Sequence, residues 1–439
     1  MKKLITLIAS FLALTSCASQ TGQVTSNEQE PSFSNVPNLG PYKLNDPFKP
    51  FNTNPQEEID KNYIKSLQEF ALDFLKETHK EEKDDNPVFS PMSIATCFSM
   101  AMDAATGQSK EQLESLLHYD DSFDHLPAIK TALLKNAIND AVKHTYVNIS
   151  QSAWINEEAY RDGFDEEYSK LLQDNYFAEF YKGPLPEMYN EVADWINSKT
   201  NNYLNVKGEQ FRELLEGAVF ALLNTIYFKS DWHTGFDEEE NYNDFFNNFD
   251  GTKKITEFMK KIEENQYYYE SSNYRIASIP FEHGLEFRFL LPNENTSYMD
   301  ILDDRTALNK MLTVPLNGLF EDEDGLIKRD NLKYEIPQVQ VRQQYNLVDM
   351  CRNMGITSPF EPRGEFPPIK GYIAKSIHEA GFEINNQGGE GAAYTVIVFE
   401  KAITAPQSIE LNLNHPFAYS VSTSDGIPLF MGKVTNFAN

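Results

Sequence analysis

The first strong hydrophobic pattern along the chain begins near Tyr63. Large apolar side chains recur there every three or four residues, at Leu67, Phe70, Ala71, Phe74 and Leu75. This spacing places them on one face of a helix. We therefore expect an amphipathic helix where the folded part of the chain starts.

A second helix is predicted directly after Ser90. Ser90 is a good N-cap residue, and Pro91 is a good first helical residue. The positions from Ile94 to Ala101 are apolar nearly all round. A helix without a polar face has to be surrounded by other elements, so we expect this helix to be buried.

The second half of the chain predicts strands instead. The apolar run Ala218–Phe228 indicates a fully buried strand, Asp250–Gly251 is a hairpin turn signal, and Ile279–Phe281 and Phe287–Leu291 are strand-like runs. Before them, a helix is expected to end within Trp195–Tyr203. Helices first and antiparallel strands later favour a single α+β domain.

The N-terminal segment has the pattern of an export signal. A basic start at Met1–Lys3 precedes an apolar stretch of eleven residues, Leu4–Leu14, which is too short to span a bilayer as a helix. This order predicts a signal peptide. The residues Leu14-Thr15-Ser16-Cys17 match a bacterial lipobox, which predicts a membrane-anchoring lipid on Cys17. A plain secretory peptide with an incidental cysteine is the alternative.

The residues after Cys17 predict a tether. From Ala18 to about Ile59 the chain is rich in Gln, Ser, Asn, Thr and Pro and lacks periodicity. We expect a signal peptide over residues 1–16, a lipidated, disordered tether over 17–60 and a folded domain over 61–439. The residue after the lipidated cysteine is Ala18 rather than Asp, which favours the outer membrane of the bacterial cell envelope. The sequence does not indicate which face of that membrane carries the protein.

Composition narrows the range of functions. The net charge of −28 and the pI near 4.7 argue against nucleic acid as a partner, because such a surface repels phosphates. The three cysteines cannot form a disulfide framework. The apolar neighbours of Cys97 and Cys351 predict buried free thiols rather than catalytic ones.

Motifs of known enzyme classes are missing from the sequence. The chain contains no GxSxG, HExxH, P-loop or CxxC motif, and its eight histidines are not at metal-ligand spacing. The acidic run Glu321–Gly325 would put Phe320 at the first ligand position of a calcium loop, so we interpret the run as a solvated turn. We expect no cofactor, no metal and no enzymatic activity.

Four blocks of the sequence resemble the serpin family of protease inhibitors. They are Asn86–Ile94, Leu223–Trp232 with Phe236, Tyr334–Pro337 with the residues up to Phe360, and the C-terminal pair His415–Phe417 and Leu429–Val434. The blocks occur in serpin order over roughly residues 61–439. The resemblance implies a fold of three β-sheets and about nine helices with an exposed reactive-centre loop, in a protein that is a monomer.

Several residues acquire a role through this resemblance. Ser90, Ser93, Asn224 and His378 align with the family's shutter, a polar cluster under the main sheet that governs its opening. Trp232 aligns with the breach, where the reactive loop first enters the sheet. Taken singly, each has a plain structural interpretation as a cap, a core amide, a core histidine or a core aromatic residue.

The resemblance also implies a mechanism. A protease cleaves the loop, and the freed arm inserts as a new central strand, which drags the acyl-linked protease across the molecule and distorts its active site before hydrolysis finishes. The residues that fall on the family's hinge are Asn386, Gly388, Gly389, Glu390, Gly391, Ala392, Ala393 and Thr395.

The arm after the hinge alternates as a strand requires. Odd positions from 389 to 399 are Gly, Gly, Ala, Thr, Ile and Phe and suit a buried face, while even positions from 390 to 400 are Glu, Ala, Tyr, Val, Val and Glu and suit a more exposed face. Two residues depart from the family pattern: Asn386 stands where Glu is usual, and Tyr394 is bulky where Ala is preferred. An ordinary glycine-rich loop that leads into an edge strand is the alternative.

Family spacing from the hinge places the scissile bond at Ala402–Ile403. A small Ala402 fits a shallow specificity pocket and favours an elastase-like serine protease, whereas Lys401 suits a trypsin-like protease and Phe399 a chymotrypsin- or subtilisin-like one. We expect serine proteases as partners, with cysteine proteases as a further class. The competing functions are a non-inhibitory serpin-fold binding protein or protease substrate, and an unrelated glycan-binding surface lipoprotein.

Overall fold

The structure is a computed structural model that describes residues 58–81, 86–318, 320–389 and 408–437. The predicted signal peptide, Cys17 and most of the predicted tether lie outside the described residues, as do positions 390–407. No helix in the described part of the chain is long and apolar enough to cross a membrane.

Ten α-helices occur among the described residues. They are α1 Lys61–Glu81, α2 Pro91–Asp103, α3 Gly107–Leu116, α4 His125–Asn136, α5 Glu166–Tyr176, α6 Tyr189–Lys199, α7 Glu209–Leu215, α8 Tyr298–Leu302, α9 Arg305–Thr313 and α10 Leu347–Asn353. The helices predicted after Tyr63 and Ser90 are confirmed. Ser90 caps α2 by accepting a hydrogen bond from the backbone N–H of Ser93, and nearly all of α2 is buried.

Sixteen strands complete the described structure. They are β1 Val88–Phe89, β2 Ile138–Asp140, β3 Thr145–Asn156, β4 Glu179–Gly183, β5 Phe220–Asp231, β6 Tyr242–Asn247, β7 Lys253–Ser271, β8 Tyr274–Pro280, β9 Glu286–Pro292, β10 Gly325–Pro337, β11 Val339–Asn346, β12 Ile377–Ile384, β13 Gly388–Gly389, β14 Ile409–Asn412, β15 Phe417–Ser422 and β16 Pro428–Val434. The predicted turn at Asp250–Gly251 joins β6 to β7, and Gly251 has the positive φ of 85° that this turn requires.

The main sheet has seven strands in the order β11-β12-β13-β5-β3-β2, with β4 on β3. Helix α2 packs on one face, where the Ser93 hydroxyl reaches Asn224 of β5. Helix α6 covers the other face, because its Val192 and Ile196 share an apolar cluster with residues of β5. Both faces of the sheet are thus covered around β5.

The second sheet has nine strands in the order β1-β16-β15-β9-β8-β7-β10-β14, with β6 on β7. The strand β7 is 19 residues long and pairs with β6 at one end and with β8 at the other. The resemblance implied three sheets, and β7 joins the two smaller ones into this single nine-stranded sheet. The predicted α+β class is confirmed.

The core lies between the two sheets. The rings of Phe382 in β12, Phe287 in β9 and Tyr419 in β15 stack on each other with centroid separations of 5.4–6.3 Å and are buried. Burial of such large rings supplies much of the hydrophobic stabilisation of a domain and fixes the distance between its sheets.

The strand β5 differs from its prediction. The apolar run Ala218–Phe228 predicted a fully buried strand, but the strand runs from Phe220 to Asp231 and its residues Phe220–Asn224 are only half-buried. They are half-buried because they line a cavity between β5 and β12. Cys97 of α2 lines the same cavity and is half-buried, whereas Cys351 is buried as predicted. Burial raises the pKa of both thiols to about 12, which leaves them unreactive.

The acidic run Glu321–Gly325 is largely exposed, as predicted, and its half-buried Asp322 has several partners. The carboxylate of Asp322 accepts hydrogen bonds from the Tyr269 hydroxyl at 2.8 Å and from the backbone N–H groups of Asp324 and Gly325 at 3.0 Å, and it pairs with Lys310. Within the described residues, no group of three or more His, Cys, Asp or Glu side chains is placed to hold a metal ion.

Candidate functional site: the slot and the hinge

A long cavity divides the main sheet in two. Strand β5 pairs with β3, and strand β12 pairs with β11, but among the described residues neither facing edge has a partner strand beyond β13. The cavity has a volume of about 930 Å³. We call this cavity the slot. Along its two edges, backbone N–H and C=O groups have no partner strand among the described residues, and these are the groups that an added strand would bind.

Two glycines occupy one end of the slot, which we call the mouth. Gly389 pairs with Ile384 of β12 and with Ser230 of β5, and Gly388 pairs with Asp231. The chain therefore reverses direction after β12 and returns beside it. The first hinge residues already form the start of a strand between β12 and β5.

Close packing makes glycine necessary at both positions. A Cβ atom on Gly388 would lie 2.0 Å from the carbonyl oxygen of Ser230, and one on Gly389 would lie 2.6 Å from Cε1 of Phe228. Phe228 is a buried core residue. Gly389 therefore faces the core, on the side that the alternation of the arm assigned to small residues.

Trp232 holds the turn that precedes these glycines. Its indole N–H donates to the carbonyl oxygen of Asn385, and its backbone N–H donates to that of Gln387, both at 2.8 Å. The ring is buried and stacks on Phe281 at 4.2 Å with an angle of 8° between the planes. Trp232 thus fixes the hinge turn to the end of β5.

Asn386 is held by other amides. Its side chain exchanges two hydrogen bonds with Asn241, at 2.8 and 3.0 Å, and accepts a third from Gln338 at 3.1 Å. The residue is buried. The neutral Asn386 is therefore well accommodated, because each direct side-chain partner is a neutral amide that can both donate and accept.

The four predicted shutter residues form one chain of hydrogen bonds. The backbone N–H of Ser90 donates to Nε2 of His378 at 3.1 Å, the Ser90 hydroxyl accepts from the N–H of Ser93 at 3.2 Å, and the Ser93 hydroxyl donates to Oδ1 of Asn224 at 2.5 Å. His378 lies on β12 and Asn224 on β5. The N-terminus of α2 therefore connects the two strands that border the slot.

The shutter contains a neutral histidine and an unpaired amide. Burial lowers the pKa of His378 to about 3, so its imidazole is neutral, and Nε2 accepts a hydrogen bond. Nδ2 of Asn224 has no hydrogen-bond partner among the described residues, nor does the hydroxyl of the neighbouring Thr225. Buried polar groups usually have partners, so these atoms mark an incomplete site.

The other predicted site residues lie outside the described residues. They are the hinge residues Glu390, Gly391, Ala392, Ala393 and Thr395, the scissile pair Ala402 and Ile403 with the alternative Lys401, and the lipidation site Cys17.

Sequence reasoning missed the partners of the hinge. Asn241 follows an acidic run and lies 145 residues before Asn386, and Gln338 lies 48 residues before it. Neither residue belongs to a recognisable motif. Only the fold brings these amides together, so no local pattern could have identified them.

The family model described as Serpin (serine protease inhibitor) matches residues 65–437. The chain belongs to the serpin family. Among curated serpins, it is 26% identical over 380 residues to Serpin-ZX of Arabidopsis thaliana, with 81% of this chain and 93% of that protein covered. It is 24% identical to Serpin B11 of Homo sapiens, with 84% and 97% covered.

Solved serpins have the same fold at low identity. The native state of the thermophilic serpin tengpin superposes with a TM-score of 0.72 at 20% identity, covering 87% of this chain and 96% of that one. Cleaved Serpin 42Da superposes with a TM-score of 0.68 at 19% identity, covering 86% and 99%. These likenesses support the fold assignment of this serpin.

The packing around Gly388 predicts the effect of a single methyl group. Gly388→Ala should lower the free energy of unfolding by about 1–3 kcal/mol, because the added Cβ meets backbone atoms that cannot rotate away. Gly235→Ala is the matched control, since its Cβ would lie 3.6 Å from the carbonyl oxygen of Asn386, an ordinary contact. Urea unfolding of the uncleaved protein measures the stability of both variants. Equal losses would contradict the close packing around Gly388.

The depressed pKa of His378 predicts a loss of stability in acid. The folded state holds this imidazole neutral down to a pKa of about 3, whereas an unfolded histidine binds a proton near pH 6.5. The free energy of unfolding should therefore fall as the pH decreases from 6.5 towards 3, by about 2 kcal/mol between pH 7 and pH 5.

Urea unfolding at pH 7 and pH 5 measures this loss, and His378→Gln should remove most of it. The variant His118→Asn is the control, because His118 is partly exposed and pairs with Asp73 rather than with the shutter. A His378→Gln protein with the same pH dependence as the native protein would contradict the assignment.

Proposed function

We propose that this serpin inhibits a protease by offering its loop for cleavage and then inserting the freed arm into the slot. The observation that carries the proposal is the slot itself, whose two edges have no strand between them in the described part of the chain beyond the mouth, which already holds Gly388 and Gly389. The arm that follows these glycines alternates small and larger residues, as the missing strand would.

The pairing at the mouth sets the register of the inserted arm. Counting on from Gly389 opposite Ser230 brings Thr395 opposite Asn224 on β5, and counting from Gly389 opposite Ile384 brings Thr395 opposite His378 on β12. Both counts place the threonine between the two shutter residues. Its hydroxyl would then lie beside the amide nitrogen of Asn224, which has no hydrogen-bond partner among the described residues.

The same register gives the outer face of the arm a role. Val396 and Val398 would lie opposite Leu223 and Ala221 of β5, which pack against the apolar cluster of α6. Their apolar character is then expected, although they belong to the face that alternation marked as more exposed. An arm that ends at Ala402 reaches beyond Phe220, where β5 begins, so it is long enough to fill the slot.

The chemical step uses the protease's own nucleophile. That nucleophile attacks the carbonyl carbon of Ala402, the bond to Ile403 breaks, and the nitrogen of Ile403 leaves with a proton as a free amine. The arm remains esterified to the enzyme. Ala402 favours an elastase-like serine protease, with Lys401 and a trypsin-like protease as the second choice.

A non-inhibitory role is the second candidate function. A serpin whose arm enters the slot more slowly than the acyl-enzyme is hydrolysed is a substrate and not an inhibitor. The unusual Asn386 and Tyr394 are the residues that favour this alternative. The small residues at the inward hinge positions favour inhibition.

We also propose that the protein is a monomer and that a lipid on Cys17 anchors it to the bacterial cell envelope. Cell fractionation tests the anchor. The support is the order of basic region, apolar stretch and lipobox, followed by a polar segment without periodicity. The native chain should sediment with outer membranes, whereas Cys17→Ser should not. Equal membrane retention of both proteins would contradict a lipid on this cysteine.

The direct test mixes residues 61–439, the predicted folded domain, with elastase, trypsin and subtilisin. Inhibition predicts a complex that survives denaturing electrophoresis and a released peptide whose first residue is Ile403. A peptide that starts at Ala402 would move the scissile bond to Lys401. Cleavage of the loop without a stable complex for any protease would leave the non-inhibitory role.

The register predicts opposite outcomes for two neighbouring substitutions in the arm. Thr395→Arg should abolish the stable complex while the loop is still cleaved, because the charged side chain would have to enter the buried space between Asn224 and His378. Tyr394→Arg is the matched control, since position 394 is on the other face and already carries a bulky side chain. Gel assays with the same protease measure both, and equal loss of the complex would refute this register.

A further inference from the structure

Three turns meet beside the mouth of the slot. One is the β2–β3 turn at residues 140–144, the second is the end of β5 with Trp232 and His233, and the third is the β8–β9 turn at Phe281–Gly284. The first two turns belong to the main sheet and the third to the nine-stranded sheet. Contacts among these turns therefore join the two sheets next to the point where the hinge enters.

Two of these contacts pair a histidine with an aspartate. Nδ1 of His144 lies 2.9 Å from Oδ2 of Asp231, the residue of β5 that pairs with Gly388. Nε2 of His283 lies 2.9 Å from Oδ2 of Asp140. The first contact holds the end of β5 to the β2–β3 turn, and the second holds that turn to the other sheet.

A third carboxylate joins all three turns. Glu282 accepts a hydrogen bond from Lys143 at 2.6 Å and lies 3.4 Å from Nδ1 of His233. The backbone N–H of His233 also donates to the carbonyl oxygen of Pro280 in β8. We call the seven ionisable residues of these contacts the mouth cluster. They are Asp140, Lys143, His144, Asp231, His233, Glu282 and His283.

The charge of the mouth cluster depends on its imidazoles. The backbone N–H groups of Lys143 and Val142 lower the pKa of Asp140, and the hydrogen bond from Lys143 lowers that of Glu282, so these carboxylates are ionised throughout the range from about pH 5 to pH 8. Imidazoles in general take up a proton near pH 6.5. With the three imidazoles neutral, one cation faces three carboxylates, and with them protonated, four cations do. Protonation turns three neutral contacts into charge-assisted ones.

We propose that the mouth cluster is a pH-dependent clamp that ties the end of β5 to the second sheet and slows entry of the arm in acid. Entry of the arm brings Thr395 between Asn224 and His378, which the shutter hydrogen bonds connect, so β5 has to shift as the arm enters. The residues that grip the hinge, Asp231 and Trp232, lie next to His233. A charged clamp resists that movement, and a neutral one yields. The predicted effect of the clamp on inhibition rests on the proposed function. Its predicted effect on unfolding does not, because unfolding needs no protease.

The test compares two multiple variants of the full folded domain at pH 5.5 and pH 8. The mouth variant carries His144→Asn, His233→Gln and His283→Asn, with asparagine chosen where the histidine has a positive φ. The control variant carries His118→Asn, also at a positive φ, and His125→Gln. These two control histidines pair with Asp73 and Asp103 on α1 and α2, away from the mouth. His378 is present in every protein, so its own titration cancels.

The first readout is the rate of unfolding in a fixed urea concentration, followed by tryptophan fluorescence. For each protein we divide the unfolding rate at pH 8 by the rate at pH 5.5. This ratio should be at least about threefold larger for the native protein than for the mouth variant, because the three charged contacts are partly exposed and each contributes little. The control variant should match the native protein. Equal pH ratios in the native protein and the mouth variant would overturn the clamp.

The second readout is the number of inhibitor molecules consumed for each protease molecule trapped. With the same protease, this number should rise more from pH 8 to pH 5.5 for the native protein than for the mouth variant. Equal numbers, together with a difference in unfolding, would overturn the effect on entry. If no protease is trapped by any variant, the proposed function fails, and the unfolding rates alone decide whether the clamp exists.

Discussion

The structure depends on two strand edges that face each other without pairing. A backbone N–H or C=O group that neither a strand nor water satisfies is costly, and along the slot those of β5 and β12 have no partner strand among the described residues. The seven-stranded main sheet therefore has room for one more strand, whose addition would pair these groups. The hinge glycines, the amides around Asn386 and the ring of Trp232 all lie where that strand begins.

Helix α2 connects the structural and the functional roles of the sheet. Its N-terminus caps the helix through Ser90 and at the same time bonds to His378 on one side of the slot and to Asn224, through Ser93, on the other. The same groups thus terminate a buried helix and bridge two separated strands. Any movement of β5 away from β12 has to rearrange these hydrogen bonds.

Local patterns predicted the elements, and the fold added the relations between them. The helices after Tyr63 and Ser90 and the hairpin at Asp250–Gly251 follow from spacing, capping and turn residues, which act over a few positions. The pairing of Asn241 with Asn386 and the position of α6 over the slot depend on contacts between distant segments. The roles of the shutter and breach residues came from resemblance, because their side chains alone have ordinary core interpretations.

The difference at β5 has a physical cause of its own. Its continuous apolar run is typical of a strand with neighbours on both sides and cover on both faces. Within the described residues, this part of β5 has a neighbouring strand on one side only, and Phe220–Asn224 are half-buried. The pattern of apolar residues thus matches a sheet with one more strand, which explains why reasoning from hydrophobicity overestimated the burial of β5.

The direct side-chain partners of Asn386 are uncharged, unlike much of the surface around the hinge. With a net charge of −28, this surface repels itself, and the strength of that repulsion varies with the concentration of dissolved ions. Hydrogen bonds between uncharged amides carry no net charge for dissolved ions to screen. The hydrogen bonds that Asn241 and Gln338 make to the hinge should therefore weaken less between fresh and saline surroundings than contacts between charged groups on the surface.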